Sequence, residues 1–330
     1  MTVVAEHPGL RGSAEVDGTV PGPTFGRLIR GELLKVRTTN LWWILALCAV
    51  VATGLALLVN GLIAHTELAD YAHPNVGGDF APDRPPSPDD LARAEAQYRA
   101  DHPLAPILVR SAANIFTSGQ FFGLLIVMLL GAIIVTGEYH NQTATTTFLA
   151  APRRTLVILA KVAAAAILAA IAWFVTTVLD LALGSTFFAV EGYSNSLGVW
   201  DVQRAIGMNL PAYALWALLG MGLGALIRNQ IATTLVGAGL YLIGGQVVQL
   251  AFIAVYSFWI KEAWVLQSMV ALPAVASSVM ISPQRVQLWS TDNGTMIYAP
   301  PWWVGGLVMV GYGIIATAVG TLFVRRRDIS

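Results

Sequence analysis

The chain has 330 residues, of which 56% are hydrophobic and only 12% are charged. About a quarter of the residues of a soluble domain are charged, so this composition excludes an ordinary water-soluble protein and predicts a polytopic membrane protein. The formal net charge is zero, which gives no support to a nucleic-acid partner. The single cysteine, Cys48, excludes an internal disulfide.

The first forty residues divide into two segments. Residues 1–23 are polar and rich in glycine and proline, so we expect a disordered cytoplasmic tail. Residues 24–40 are amphipathic, and a basic helix of this kind rests in the lipid headgroup layer. A solvated lead-in to the first span is the alternative. The predicted apolar face consists of Phe25, Leu28, Ile29, Leu33 and Val36.

Residues 41–330 are predicted to form an all-α transmembrane domain with six spans, since about 20 apolar residues suffice to cross a membrane. Basic residues near the span ends are concentrated on one side, which places both termini in the cytoplasm. The six predicted spans are Leu41–Ala64, Gln120–Gly137, Leu156–Leu179, Ala205–Ile227, Ile231–Trp259 and Pro301–Val324.

Two segments between spans are predicted to lie outside the cell. Residues 65–119 form an enlarged outer loop, in which Ser87, Pro88 and two following acids predict the start of a helix that runs to about Asp101. Residues 260–300 contain the apolar run Glu262–Ser282, which is interrupted by proline. We expect a re-entrant or surface-lying helical pair there, because a seventh span would place the basic C-terminal tail outside.

The connector between the second and third spans, residues 137–156, carries an acid, a run of hydroxyl groups and a Pro-Arg-Arg turn. A segment this polar between two spans lies at one membrane surface. It is amphipathic enough to form a short helix parallel to that surface, and such a helix can contact a soluble protein. An ordinary cytoplasmic connector with basic anchors is the alternative.

Several kinds of chemistry find little support. The phosphate-binding GxxxxGK[ST] loop is absent, because none of the three lysines follows a glycine. We therefore expect no nucleotide hydrolysis, and no enzyme activity, from this chain. The five histidines are scattered without metal-ligand spacing, so no metal site is predicted.

Few polar residues fall within the spans. Asp180, at the outer end of the third span, is the only candidate for an ion-coupled path. Gln246 and Gln249 lie three residues apart in the fifth span, where they either line a substrate path or form hydrogen bonds between helices. Gly220 and Gly224 form a GxxxG pattern in the fourth span, which favours close helix packing.

Three stretches resemble an ABC-2-type permease, the membrane subunit of a bacterial ATP-binding-cassette exporter, particularly of the actinobacterial kind. They are Arg30–Lys35 with Trp42-Trp43, the connector from Glu138-Tyr139 to Pro152-Arg153-Arg154 and Lys161, and the tail Arg325-Arg326-Arg327-Asp328. The resemblance extends from about residue 24 to the end of the chain. The long outer loop departs from it, because such permeases usually keep this loop short.

The resemblance implies a plasma-membrane exporter in which two permease copies, identical or related, pair with two cytoplasmic ATPase subunits. ATP and Mg²⁺ would bind to the ATPase, and this chain would bind no cofactor. The cargo would be amphiphilic or drug-like and would pass along the second and fifth spans. An ion-coupled carrier and a membrane-bound ligand sensor remain alternatives. The connector residues that would couple the permease to the ATPase are Glu138, Tyr139, Thr143, Thr147, Phe148, Pro152, Arg153 and Arg154.

Overall fold

A computed structural model describes residues 24–76, 86–140, 154–290 and 294–326, and the chain in these ranges is mostly helical. Eleven helices, one short 3₁₀ helix (Ser268–Ala271) and one two-stranded hairpin occur in this described part. In chain order they are α1 (Phe25–Arg37), α2 (Leu41–Ala72), α3 (Pro88–Asp101), α4 (Leu104–Phe116), α5 (Gln120–His140), α6 (Arg154–Glu191), α7 (Trp200–Ile227), α8 (Gln230–Phe258), α9 (Ala263–Gln267), α10 (Pro273–Ile281), β1 (Gln287–Ser290), β2 (Met296–Tyr298) and α11 (Trp302–Arg326).

Six helical segments in the described ranges are long and apolar enough to cross a membrane, which confirms a multi-pass helical membrane protein. Five of them are α2, α6, α7, α8 and α11, while α4 and α5 together form the sixth. In the most apolar 18-residue stretch of α8, only 6% is buried. Apolar side chains exposed in this way suit a helix that faces lipid rather than water.

Helices α5 and α7 form the centre of the bundle. The GxxxG pattern predicted to favour close packing lies at their contact, where Gly220 faces the carbonyl group of Met128 and Gly224 faces that of Ala132. On α5, Gly131 lies in the same way against the carbonyl group of Ala217. The absence of side chains at these positions lets the two backbones approach each other.

Helix α1 packs along α6 through its predicted apolar face. Val36 is buried, and Leu28, Ile29 and Leu33 are half-buried, whereas Phe25 is exposed. An acidic residue, Glu32, lies buried within the same face. The end of the bundle that carries α1, the C-terminus of α5 and the N-terminus of α6 is called the connector end below.

The opposite end of the bundle differs from the predicted outer loop. Helix α2 continues to Ala72 rather than ending at Ala64, and α6 continues to Glu191 rather than ending at Leu179. With a rise of 1.5 Å per residue, the 38 residues of α6 span about 57 Å, which exceeds the thickness of the hydrocarbon core. Much of segment 65–119 is helical, because it contains the end of α2 together with α3 and α4. Helix α4 packs against α2, α6 and α7.

Two predicted local features are found at this end. Ser87 caps α3, because its hydroxyl group accepts a hydrogen bond from the backbone amide of Asp90. The segment after α8 forms two short helical pieces, Ala263–Ala271 and Pro273–Ile281, which meet at 94°. The bend falls at Leu272, whose extended backbone is the conformation favoured before proline.

The hairpin of β1 and β2 was not predicted, so the chain is not purely α-helical. The two antiparallel strands follow α10 directly. Arg204 of α7 holds this region in place by donating hydrogen bonds to the carbonyl groups of Ser282, at 2.8 Å, and Met280, at 3.4 Å. Its guanidinium group also lies 5.0 Å from the ring centre of Trp302, which links α7, α10 and α11.

Candidate functional site at the connector end

The structure describes only part of the predicted coupling connector. Glu138 and Tyr139 lie in the last turn of α5, and Arg154 is the first residue of α6. The remaining predicted coupling residues lie outside the described residues. They are Thr143, Thr147, Phe148, Pro152 and Arg153.

Four charged side chains from three helices meet where the connector leaves and re-enters the bundle. Helix α1 contributes Glu32 and Lys35, one turn apart, while α5 contributes Glu138 and α6 contributes Lys161. Although these residues are far apart in sequence, the packing of α1 along α6 and beside α5 brings their side chains together. We call them the charge ring.

Each lysine of the charge ring lies between the two carboxylates. The Nζ atom of Lys35 is 2.8 Å from Glu32 Oε1 and 2.8 Å from Glu138 Oε1. The Nζ atom of Lys161 is likewise 2.8 Å from Glu32 Oε2 and 2.8 Å from Glu138 Oε1. A further contact of 3.4 Å joins Lys161 Nζ to the carbonyl oxygen of Ile134. Each pair therefore has the geometry of a charge-assisted hydrogen bond.

Burial makes the charge ring energetically sensitive. Glu32, Glu138 and Lys161 are each 6% exposed, whereas the side chain of Lys35 is 43% exposed. Two acids and two bases leave no net charge, and each carboxylate has two cationic partners. Removal of one buried member would leave one opposite charge uncompensated, which costs about 3–5 kcal/mol in buried ion pairs.

Lys35 faces a cavity that links the charge ring to the surface. The cavity has a volume of about 380 Å³ and lies between α1 and α5, with Thr38, Thr39 and Gly137 among its lining residues. Burial lowers the pKa of the Lys35 ammonium, but the hydrogen bonds that Lys35 donates to Glu138 and Glu32 outweigh burial and raise the pKa above its ordinary value. Lys35 therefore stays charged at neutral pH and keeps the ring balanced.

Tyr139, another predicted coupling residue, contacts a different element. The guanidinium group of Arg228 lies 5.5 Å from the centre of the Tyr139 ring. Arg228 follows the last residue of α7 and adopts a left-handed backbone conformation, with φ of 57°. The end of α5 thus contacts α1 and α6 through the charge ring, and the turn between α7 and α8 through this cation–π pair.

The predicted substrate-path residues lie away from the charge ring, on α8. Gln246 is exposed and Gln249 is half-buried. They follow a π-helical segment, Leu240–Gly244, where the hydroxyl group of Tyr241 donates a 2.6 Å hydrogen bond to the carbonyl group of Phe121. Such π segments are frequent at functional sites. For Gln246 and Gln249, a substrate path and hydrogen bonding to another helix both stay predictions.

Asp180, the residue predicted to lie at the outer end of the third span, is not at the end of its helix. Helix α6 continues for eleven residues beyond it, to Glu191. The Asp180 side chain is buried at the contact of α6 with the start of α5, where it accepts a hydrogen bond from the backbone amide of Gly119.

Glu32, Lys35 and Lys161 were not predicted as site residues, although they lie in the stretches that carry the family resemblance. The sequence holds one signal for them. Lys161 lies within an otherwise apolar run, and a charge in such a run needs a partner of opposite sign. That signal does not say which of the 19 acidic residues provides the partner.

Comparisons with known proteins add no family assignment. No protein-family model matches the chain, and no curated protein matches it.

Proposed function

We propose that this chain is the permease subunit of an ATP-binding-cassette exporter, which moves an amphiphilic substrate out of the cell with energy from a separate ATPase. Its multi-pass helical architecture supports this proposal. So do the three stretches that resemble ABC-2-type permeases. The proposed complex contains two permease copies and two ATPase subunits.

The charge ring is the observation that carries the proposal. In an exporter of this kind, movement of the ATPase reaches the permease through the connector between its second and third spans. Residues 141–153 join α5 to α6, and the charge ring holds these two helices together through Lys161 and Glu138. A displacement of the connector would therefore move both helices together, rather than bending one of them.

Helix α1 extends this mechanical unit. Glu32 receives one hydrogen bond from Lys35 of its own helix and another from Lys161 of α6. Since three buried charges resist separation, α1, α5 and α6 would respond to the connector as one body. The proposed role of the ring is the transmission of force, and none of its residues is catalytic.

The experiment begins with purification of the tagged chain from membranes of its native host, followed by an assay for co-purifying ATP hydrolysis. The complex is then reconstituted in liposomes, and ATP-dependent uptake of a fluorescent amphiphile into inside-out vesicles is measured. Phe148→Ala is expected to reduce uptake at least about tenfold, because loss of an apolar anchor at a protein contact costs more than about 1.4 kcal/mol.

The matched control is Phe174→Ala, which removes an exposed phenylalanine from α6, outside the second and fifth spans that the cargo would follow. This variant should retain both ATPase binding and uptake. Transport by the isolated chain without any ATPase would refute the proposal. Full coupled activity of Phe148→Ala would refute the role of the connector alone.

A further inference from the structure

Asp180 occupies a buried position that the proposed transport function does not require. The side chain is 1% exposed. Its Oδ2 atom accepts a 3.0 Å hydrogen bond from the backbone amide of Gly119. Its Oδ1 atom has no hydrogen-bond partner among residues 24–76, 86–140, 154–290 and 294–326. One carboxylate oxygen is therefore buried without compensation from the described chain.

A second buried oxygen lies beside the same glycine. Thr53 of α2 is 1% exposed, and its hydroxyl group also lacks a hydrogen-bond partner within the described ranges. Its Oγ1 atom lies 2.8 Å from the position that a Cβ atom on Gly119 would occupy. Thr53 and Asp180 thus approach Gly119 from two different helices, and each brings an oxygen that could bind a cation.

The rest of the cluster is polar but neutral. The Tyr213 hydroxyl group donates a 3.0 Å hydrogen bond to the Gly119 carbonyl oxygen and lies 3.1 Å from Thr176 Oγ1. Tyr213 is the titratable side chain of α7 at this cluster. The described parts of α2, α4, α5 and α7 place no charged group in an ion pair with Asp180.

The electrostatic balance does not favour a bare carboxylate at this position. The amide of Gly119 precedes the first residue of α5, so the dipole of that helix stabilises a negative charge to some extent. This contribution is smaller than the cost of removing an ionised carboxylate from water, which several hydrogen bonds or an opposite charge must offset. Within the described residues, the Asp180 carboxylate receives only one hydrogen bond, from the backbone amide of Gly119.

We propose that the Asp180 carboxylate and the Thr53 hydroxyl group bind one monovalent cation, either a proton or Na⁺. The bound cation neutralises Asp180 and allows α6 to pack closely against Gly119 and α2. The cation site lies at the start of α5, whereas the charge ring lies at the end of this helix. Occupancy of the cation site therefore sets how α5 packs at the end remote from the connector. The proposal is independent of the energy source for transport.

The test uses the purified full-length chain in nanodiscs. Binding of ²²Na⁺ is measured with and without excess unlabelled Na⁺, and the infrared carbonyl stretch of protonated carboxylic acids is recorded in Na⁺-free buffer. Either one displaceable Na⁺ per chain or a protonated-carboxyl band supports the site, and the two results distinguish Na⁺ from a proton. Absence of both would overturn the proposal.

Variants assign the signal to this site. Asp180→Asn should abolish the bound Na⁺ or the infrared band, whereas Asp70→Asn, which changes an exposed acid on α2, should leave both unchanged. Thr53→Val keeps the carboxylate and removes only the second oxygen, so it should weaken Na⁺ binding or shift the infrared band. A signal that persists unchanged in both Asp180→Asn and Thr53→Val would refute the assignment to this site. If Asp180→Asn does not fold, the result for Thr53→Val alone tests the assignment.

Discussion

A lysine within a membrane-spanning helix needs an opposite charge nearby, because lipid provides no substitute for water. Lys161 meets this need twice, through Glu32 and Glu138. Its two partners are far apart in the sequence, because Glu32 precedes the first span and Glu138 lies at the end of the second. At the scale of single residues, the connector end therefore depends on a balance of charge rather than on an apolar core alone.

Lys161→Met should destabilise the protein by about 3–5 kcal/mol, because it leaves two buried carboxylates with a single partner. Lys35→Met should have a smaller effect, since the Lys35 side chain is 43% exposed and water can replace part of its role. Unfolding in detergent, followed by tryptophan fluorescence, measures both variants.

The double variant Lys161→Met with Glu32→Gln is the control for this interpretation. Removal of one acid together with one base restores the charge balance, so the double variant should be more stable than Lys161→Met. Equal effects of the two lysine variants, or no recovery in the double variant, would show that the charge ring does not stabilise the fold.

At the scale of helices, the closest contact described is that of α5 with α7. It depends on glycines whose missing side chains admit the neighbouring backbone, and Gly220 against Met128 is the tightest example on α7. Backbone atoms cannot move aside as a flexible side chain can. A single methyl group at this position must therefore displace one of the two helices.

Gly220→Ala should destabilise the protein by about 1–3 kcal/mol, the usual cost of overpacking a core. Gly207→Ala is the matched control on the same helix, because no atom lies within 4 Å of the added methyl group. This control should be neutral or stabilising by up to about 1 kcal/mol, since alanine favours helix more than glycine does. Thermal unfolding of the two variants in parallel measures the difference, and equal stabilities would contradict the packing argument.

Helix α3 depends on its first turn, where Ser87 and Asp90 form reciprocal hydrogen bonds. The Ser87 hydroxyl group donates to the Asp90 carboxylate and lowers the pKa of Asp90 below its ordinary value of 3.8. Because the pKa is lower in the folded state, this contribution to stability is complete above the unfolded value. It is lost as the pH falls through the folded value.

Ser87→Ala should therefore increase amide hydrogen exchange in residues 88–101 at neutral pH. Lowering the pH of the unmodified protein from neutral to below the ordinary Asp90 pKa of 3.8 and then through its lower folded-state value should progressively loosen the same helix, after correction for the intrinsic exchange rate. Exchange in α7 serves as the internal control. Unchanged protection of α3 in the variant would show that the cap does not limit its stability.

At the scale of the whole molecule, the predicted topology places α1 inside the cell and α3 outside. In a Cys48→Ser background, Asp89→Cys should react with a membrane-impermeant maleimide in intact cells, because Asp89 lies exposed on α3. Arg30→Cys, exposed on α1, should react only after permeabilisation. The parent without cysteine is the control, and the opposite pattern would place the connector outside and contradict coupling to a cytoplasmic ATPase.

Local sequence signals were sufficient for the features that depend on neighbouring residues. Six runs of apolar residues predicted a helical multi-pass protein. Pro273 predicted the break between the two short helices, and Ser87 predicted the start of α3. In each case the physical cause acts within a few residues: transfer of a continuous apolar segment into lipid, steric restriction before proline, or an amide left unpaired at a helix start.

The ends of α2 and α6 could not be predicted in this way. A change from apolar to polar residues marks where a helix leaves lipid, whereas the helix itself continues as long as other segments cover its apolar side. Leu68 on α2 and Phe188 on α6 lie beyond the predicted spans, and both are buried in an apolar cluster with residues of α4. Helix α4 therefore covers the apolar side of both helices there.

The charge ring and the Asp180 site were decided only by tertiary structure. Lys35 and Glu138 are 103 residues apart, Glu32 and Lys161 are 129 apart, and Gly119 and Asp180 are 61 apart. The sequence by itself established that these polar groups sit within or beside apolar helices, where each of them needs a partner. Which helices become neighbours depends on how their surfaces fit together, and only that packing determined which partner each group has.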